Sequence, residues 1–430
     1  MLRRLIGSVN RKVILVFLLS NVLAMVALFI VPAKAYQPNV EFLLILNLSF
    51  IFCICVISIL TYKLIRFNLK LKPYRHDFQY VINDKSLMRN VKILTFAPIL
   101  GFILLLIDRV LIRGIDYSQG LRLARYDWLE TTGGSIFGII GNLLIPLSYV
   151  GIFILIVYFE RIKKYKFWLI MGILIGVFGH AALNGGRSNL LLALVMVVIA
   201  LILKKERFFK SKIISIKNIG ILGVGLATFY YIAYIIESSA AMGGASLEEL
   251  VPLGITALYG VPDNEFFSSE HSYLTYILTY ILSYLYHGQW TAQITSFLAD
   301  REGFYFLTSL PTVMMDKYGL LDLQLDQKAF SETGAFISFP GAMYYDFGWF
   351  GVFFISLILG CLLGFVMLFL ESKKPIRVFK IVFILFVLYI LILSPILPAY
   401  GLSYLMFILF AFVLLSILNA IFSRKCVIFI

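Results

Sequence analysis

The chain has 430 residues, of which 61% are hydrophobic and 14% charged, with a mean hydropathy of +0.94 and a formal charge of +14. A soluble domain carries about 25% charged and about 45–50% apolar residues, so a soluble enzyme, a disordered chain and a fibrous one are excluded. The apolar residues come in long runs, as membrane-spanning helices require.

Ten apolar segments have spanning length: Val13–Val31, Phe42–Tyr62, Val91–Ile107, Ile136–Phe159, Phe167–Leu183, Ser188–Leu203, Ile213–Ile236, Gly341–Leu370, Val378–Leu397 and Leu402–Phe422. Lys and Arg stay on the cytoplasmic side of a membrane protein. With the N-terminus inside and the spans alternating, 28 of the 37 Lys and Arg lie inside and 9 outside. Acidic residues sort the other way, 5 inside and 18 outside. The basic excess is therefore topological, and no nucleic-acid partner is expected. The predicted fold is an all-α polytopic membrane protein of about 10 transmembrane helices, one membrane domain over residues 1–430, with both termini cytoplasmic.

Met1–Lys12 makes a basic start, but the apolar run after it is too long for a signal peptide. The first span is read as a retained signal anchor, although Val31-Pro-Ala-Lys-Ala has small residues in cleavage-like spacing. Cys53, Cys55, Cys361 and Cys426 lie in spans or the inner tail, so neither a disulfide nor a metal site is expected of them. The inner loops are short and basic, with Lys63–Asn90 of moderate length. No G-x-x-x-x-G-K-[ST] motif occurs, which argues against an ATP-driven pump. Chemistry is expected at the outer face.

The first outer segment, residues 108–135, carries Asp116-Tyr-Ser-Gln-Gly-Leu-Arg122-Leu-Ala-Arg125-Tyr-Asp-Trp128, preceded by Arg109 and Arg113. Arg122 and Arg125 share a face on a helix. Four Arg and no Lys suit bidentate phosphate contacts. Local pairing with Asp108, Asp116, Asp127 and Glu130 explains any single one equally well.

Asn184-Gly-Gly-Arg187-Ser-Asn189 links two short spans of 17 and 16 residues. At 1.5 Å per residue each reaches only about 25 Å, which pulls the link to headgroup depth. A cation there, at a helix start, is disfavoured both by the membrane and by the macrodipole. A bound anion relieves both, with Gly185 and Gly186 letting backbone N–H groups approach it. Snorkelling of Arg187 to lipid phosphate is the alternative. His180, about a turn deeper, is either a buried hydrogen-bonded histidine or a partner in the site.

The long outer loop, residues 237–340, contains Tyr273-Leu-Thr-Tyr-Ile-Leu-Thr-Tyr-Ile-Leu-Ser-Tyr-Leu-Tyr-His287. Tyr276, Tyr280 and Tyr284 recur every four residues, as do Thr275, Thr279 and Ser283, which predicts a striped interfacial or re-entrant helix ending at His287. An aromatic anchor belt is favoured over a sugar-stacking platform. The loop also holds His271, Asp263, Glu265, Asp300, Arg301 and Glu302 as an acid/base inventory. The Asp300–Glu302 spacing suits a metal, but the Arg between them favours surface charge.

These residues resemble the bacterial oligosaccharide repeat-unit polymerases, the Wzy or O-antigen polymerase type. The resemblance rests on Tyr117-x-x-Gly120-x-x-x-Ala-Arg125, on Gly185-Gly-Arg187-Ser188, and on a long outer loop. That loop ends in Phe339-Pro-Gly-Ala-Met-Tyr-Tyr-Asp346-Phe-Gly-Trp-Phe-Gly351. It covers roughly Asp108 to Leu370. It implies a GT-C-like glycosyltransferase of the bacterial plasma (inner) membrane that needs neither metal nor cofactor. Its partners would be an undecaprenyl-diphosphate-linked glycan donor and acceptor, membrane lipid and a chain-length regulator. On that reading Arg187, Arg125 and Arg122 bind the donor diphosphate, Tyr117 belongs to the substrate site, Arg301 binds the acceptor carrier, and His287 is the base. An O-antigen ligase and a lipid-linked oligosaccharide flippase are the rivals. The flippase predicts more spans, internal repeats and mid-span charges, whereas this chain shows no repeat, few mid-span charges and a 104-residue outer loop.

Overall fold

The computed structural model describes residues 8–68, 84–118, 121–130, 135–162, 165–184, 188–204, 246–258, 260–298, 337–371 and 378–423. From the N-terminus run α1 (Ser8–Ile30), β1 (Ala33–Ala35), α2 (Val40–Asn68), α3 (Asp84–Leu106) and a π-helical turn (Ile107–Ile112). Then come α4 (Leu121–Glu130), α5 (Ile136–Leu144), α6 (Leu147–Val157), α7 (Lys166–Leu174), a second π turn (Ile175–Gly179), α8 (His180–Asn184) and α9 (Ser188–Leu203). The rest is α10 (Leu247–Ala257), β2 (Gly260–Pro262), α11 (Asn264–Phe267), α12 (Tyr273–Ile294), α13 (Phe339–Glu371), α14 (Val378–Leu393) and α15 (Ser403–Ser423).

Seven stretches are long and apolar enough to cross a membrane: Asn10–Ile30, Val40–Asn68, Asp84–Ile112, Ile136–Val157, Lys166–Asn184, Phe339–Glu371 and Tyr404–Ile421. α9 and α14 are shorter apolar helices. Nine of the ten predicted spans are thus helical, as befits a polytopic all-α membrane protein, and Ile213–Ile236 lies outside the described residues. The inner loop is shorter than Lys63–Asn90, because α2 continues to Asn68 and α3 already begins at Asp84. Charged residues with good helix propensity carry both helices beyond their apolar runs.

The described residues fall into two compact units. The first holds α1, β1, α2, α10 to α13, β2 and the stretch from Phe386 to Ser403. Here α2 lies along α13. A Cβ at Gly360 would stand 2.7 Å from Ile57 Cβ, and one at Gly364 2.7 Å from Thr61 Cβ. Small residues of this kind let helix backbones approach where lipid offers no hydrophobic drive. At one end Tyr62 donates to Glu371 Oε2 (2.6 Å) and accepts from Arg66 Nη1 (2.7 Å), while Asn10 Nδ2 donates to Glu371 Oε1 (3.1 Å). At the other end β1 pairs antiparallel with β2, Lys34 opposite Val261. The Ala33–Ala35 stretch, cleavage-like in sequence, is thereby tied to the long loop. Val31, Ala33, Ala35, Val251, Ile255, Tyr276 and Trp290 form the core beneath the strands. α10 opens on a reciprocal cap, Ser246 with Glu249. α13 bends at Gly348, whose φ of 61° and ψ of −154° suit glycine alone.

The second unit holds α3 to α9, the first part of α14, and α15 from Tyr404. α3 packs on α5, α6 and α7, and α6 also on α7 and α9. A Cβ at Gly172 would stand 2.7 Å from Thr95 O, so α7 meets α3 backbone to backbone. Arg161 pairs with Asp84, and Arg89 donates to Asn419 Oδ1 from Nε (3.0 Å) and Nη2 (2.6 Å). Tyr62 with Glu371, β1 with β2, and Arg89 with Asn419 each join residues that the predicted alternation puts on one side.

Candidate functional site

A buried charged cluster is built in the second unit, where α3 and α7 each loosen into a π turn. Such widened turns recur at functional sites because they re-aim consecutive side chains. Asp108 and Arg109, neighbours in sequence, are both buried, at 1% and 2% exposure. Asp108 accepts from Ser135 Oγ, which in turn accepts from Gly138 N (3.1 Å) as the cap of α5. A Cβ at Gly138 would stand 2.8 Å from Asp108 Oδ2, so glycine is what admits the carboxylate. Asp108 Oδ2 lies 3.2 Å from Arg113 Nε and 3.7 Å from Arg109 Nε.

Arg109 is held on two further sides. Its guanidinium lies over the Trp128 ring, 3.8 Å from the centroid. Nη2 donates to Asn184 Oδ1 (2.9 Å). A guanidinium only donates, so this bond orients the Asn184 amide. Asn184 Nδ2 therefore donates to His180 Nε2 (2.6 Å). With Nε2 accepting, the neutral ring carries its proton on Nδ1, which lies 2.9 Å from the Asn189 side-chain amide. The amide atom there is Asn189 Nδ2; a ring protonated on Nδ1 pairs with the same amide turned over, its Oδ1 accepting. Tyr404 stacks on His180 at 4.5 Å, and Tyr149 OH donates to Asn189 O (3.0 Å). One polar chain thus runs from Arg109 through Asn184 and His180 to Asn189.

Arg109 Nε and Nη1 remain buried without a hydrogen-bond partner. An unsatisfied buried donor costs about 1–3 kcal/mol, and more when charged. One carboxylate is shared by two guanidiniums, so Asp108, Arg109 and Arg113 sum to one positive charge.

Tyr117 joins this cluster: its OH donates to Leu183 O (2.9 Å). Burial raises its phenol above the ordinary value, while the Arg109 charge lowers it. The early outer segment and the residues just before Arg187 are therefore in contact. Arg125 lies on α4, exposed; Arg122 lies on the same helix, and its side chain falls outside the described residues. Gly185, Gly186, Arg187, Arg301, Asp300 and Glu302 also lie outside them.

His287 belongs to the first unit. It does not end its helix as predicted: α12 continues to Ile294, and His287 sits inside it at 3% exposure. The stretch from His287 to Thr295 is buried all round and lodged by polar contacts, which is why it carries few of the apolar residues that would have marked it as helix. Asn47 Nδ2 donates to Gln289 Oε1 (2.9 Å), Gln289 Nε2 to Pro395 O (2.6 Å), Ser338 N to Gly288 O (2.9 Å), and Asn39 N to Gln293 Oε1 (2.9 Å). His287 Nδ1 donates to Tyr284 O (2.6 Å), which leaves Nε2 as the basic nitrogen. Of the tyrosine stripe, Tyr276 is buried in the core under the strands, while Tyr280 and Tyr284 are half-buried.

Sequence reasoning passed over Arg109 as one of four outer arginines, and over Asn184 and Asn189 altogether. A signal was present: the two Asn flank Gly-Gly-Arg-Ser, and His180 precedes Asn184 by four residues, one helical turn. Among the described residues no three His, Cys, Asp or Glu side chains converge as a metal site would require. Comparison of the chain with protein-family models, with curated proteins and with solved structures finds no match.

Proposed function

We propose that the protein polymerises undecaprenyl-diphosphate-linked oligosaccharide repeat units at the outer face of a bacterial plasma membrane. In this reading an acceptor hydroxyl attacks the anomeric carbon of the donor glycan. The bond from that carbon to the diphosphate oxygen breaks, the diphosphate leaves as an anion, and the hydroxyl proton passes to a base. Arg187, Arg125 and Arg122 stabilise charge building up on the leaving group, where preorganised electrostatics contribute most.

The observation that carries the reading is the bond from Tyr117 OH to Leu183 O, four residues before Arg187. It brings the first motif of the polymerase resemblance against Leu183, two residues before the second motif begins at Gly185. Arg109 to Asn184 repeats the connection with a cation.

The test is deletion of the gene in its host, complementation with wild type or Arg187→Ala, and gel analysis of surface and lipid-linked glycan. Loss of the long ladder with a single repeat unit on the final acceptor is expected, with Arg187→Ala failing to restore the ladder. Polymer stranded on its lipid carrier would replace the reading with a ligase. Repeat units trapped at the inner face would replace it with a flippase. An unchanged profile would overturn all three.

A further inference from the structure

Arg109 is a buried cation with more donors than acceptors. Its Nε and Nη1 have no hydrogen-bond partner, Nη2 is taken by Asn184, and the nearest carboxylate oxygen is 3.7 Å away and already 3.2 Å from Arg113. Trp128 closes one face of the guanidinium. These N–H groups are buried, and burial strengthens their interaction with whatever charge they meet. The ligand that fits is an anion with several acceptor oxygens and no donor of its own. Phosphate esters meet that description, and guanidinium is the side chain suited to them.

We propose that the unfilled N–H groups of Arg109 are the seat of a phosphate or diphosphate ester, for which the Asp108 carboxylate is the resident, competing counter-ion. Asp108 keeps the cation from standing alone when the seat is empty, and it repels the incoming anion. The Asn184 Oδ1 acceptor, its amide fixed in turn by His180, holds Nη2 in place and so presents the remaining N–H groups in one orientation. The inference rests on the proposed function only for the lipid origin of the anion.

The test is calorimetric titration of the purified full chain in detergent with two probes, inorganic pyrophosphate and farnesyl diphosphate. Wild type is expected to bind farnesyl diphosphate. Arg109→Lys keeps the charge but loses the planar fork, and should weaken binding tenfold or more. Asp108→Asn removes the competing charge and should tighten binding about tenfold, the opposite of what damage to the fold would do. Binding of both probes alike means that headgroup chemistry alone is read, from a free or a lipid source; binding of farnesyl diphosphate only means a lipid headgroup; both support the seat. No binding of either probe, Arg109→Lys equal to wild type, or Asp108→Asn no tighter than wild type overturns it. A glycan ladder unchanged by gene deletion, with binding intact, removes the polymerase reading and leaves the seat standing.

Discussion

His287 enters the folded first unit with its ring out of water, and burial pushes its pKa from 6.5 down to about 4, against the carbonyls of Tyr284 and Ser283, which raise it. The folded value lies below the unfolded one, so folding disfavours the protonated ring. Stability from this residue is full above pH about 6.5, is lost as pH falls towards about 4, and levels off below that. The total is on the order of 3 kcal/mol. The thermal unfolding midpoint in detergent is expected to drop between pH 7 and pH 4.5, and His287→Gln should flatten that part of the curve. Equal slopes for the two proteins would mean that His287 is not held neutral. The same burial that makes the ring a weak base keeps it unprotonated at neutral pH, the form a proton acceptor needs.

At the scale of the element, α13 shows how a glycine motif becomes geometry. Asp346-Phe-Gly-Trp-Phe-Gly reads in sequence as close packing, and Gly351 does pack closely, since a Cβ there would stand 2.5 Å from Met343 O. Gly348 instead takes a backbone conformation that breaks the helix direction. Gly348→Ala is expected to cost about 1–3 kcal/mol through that backbone alone, read as a lower unfolding midpoint. An unchanged midpoint would show that the bend is not a constraint. α12 makes the converse point. Its first half was legible from the tyrosine and hydroxyl stripes, but its second half, Gly288 to Ile294, is held by long-range hydrogen bonds from Asn47, Asn39 and Ser338 and to Pro395. No local periodicity announces such partners.

For the whole molecule, the alternation of spans makes a prediction about sides. Glu270, exposed after α11, belongs outside, and Lys85, exposed at the start of α3, belongs inside. In a background with Cys53, Cys55, Cys361 and Cys426 replaced by serine, Glu270→Cys should react with a membrane-impermeant maleimide on intact spheroplasts. Lys85→Cys should react only after permeabilisation. The reversed pattern would invert the topology, and with it the side on which Arg109 and Tyr117 sit.

The polytopic all-α class was already set by composition and by apolar runs, because lipid demands that each spanning segment satisfy its own backbone. Nine of the ten predicted segments emerge as helices for that reason. The proximity of Tyr117 to the residues preceding Arg187 was suggested only by resemblance, and the contact itself required the helices to pack. Arg109 was legible only as one of four outer arginines, and its burial was not legible at all. Whether an arginine at the end of a span reaches water or turns inward depends on its neighbours across the fold. Here the π turn, Gly138 making room for Asp108, the Trp128 ring and the Asn184–His180–Asn189 chain turn it in. Solvation of a charge is decided by everything that surrounds it, and only the tertiary structure assembles those surroundings.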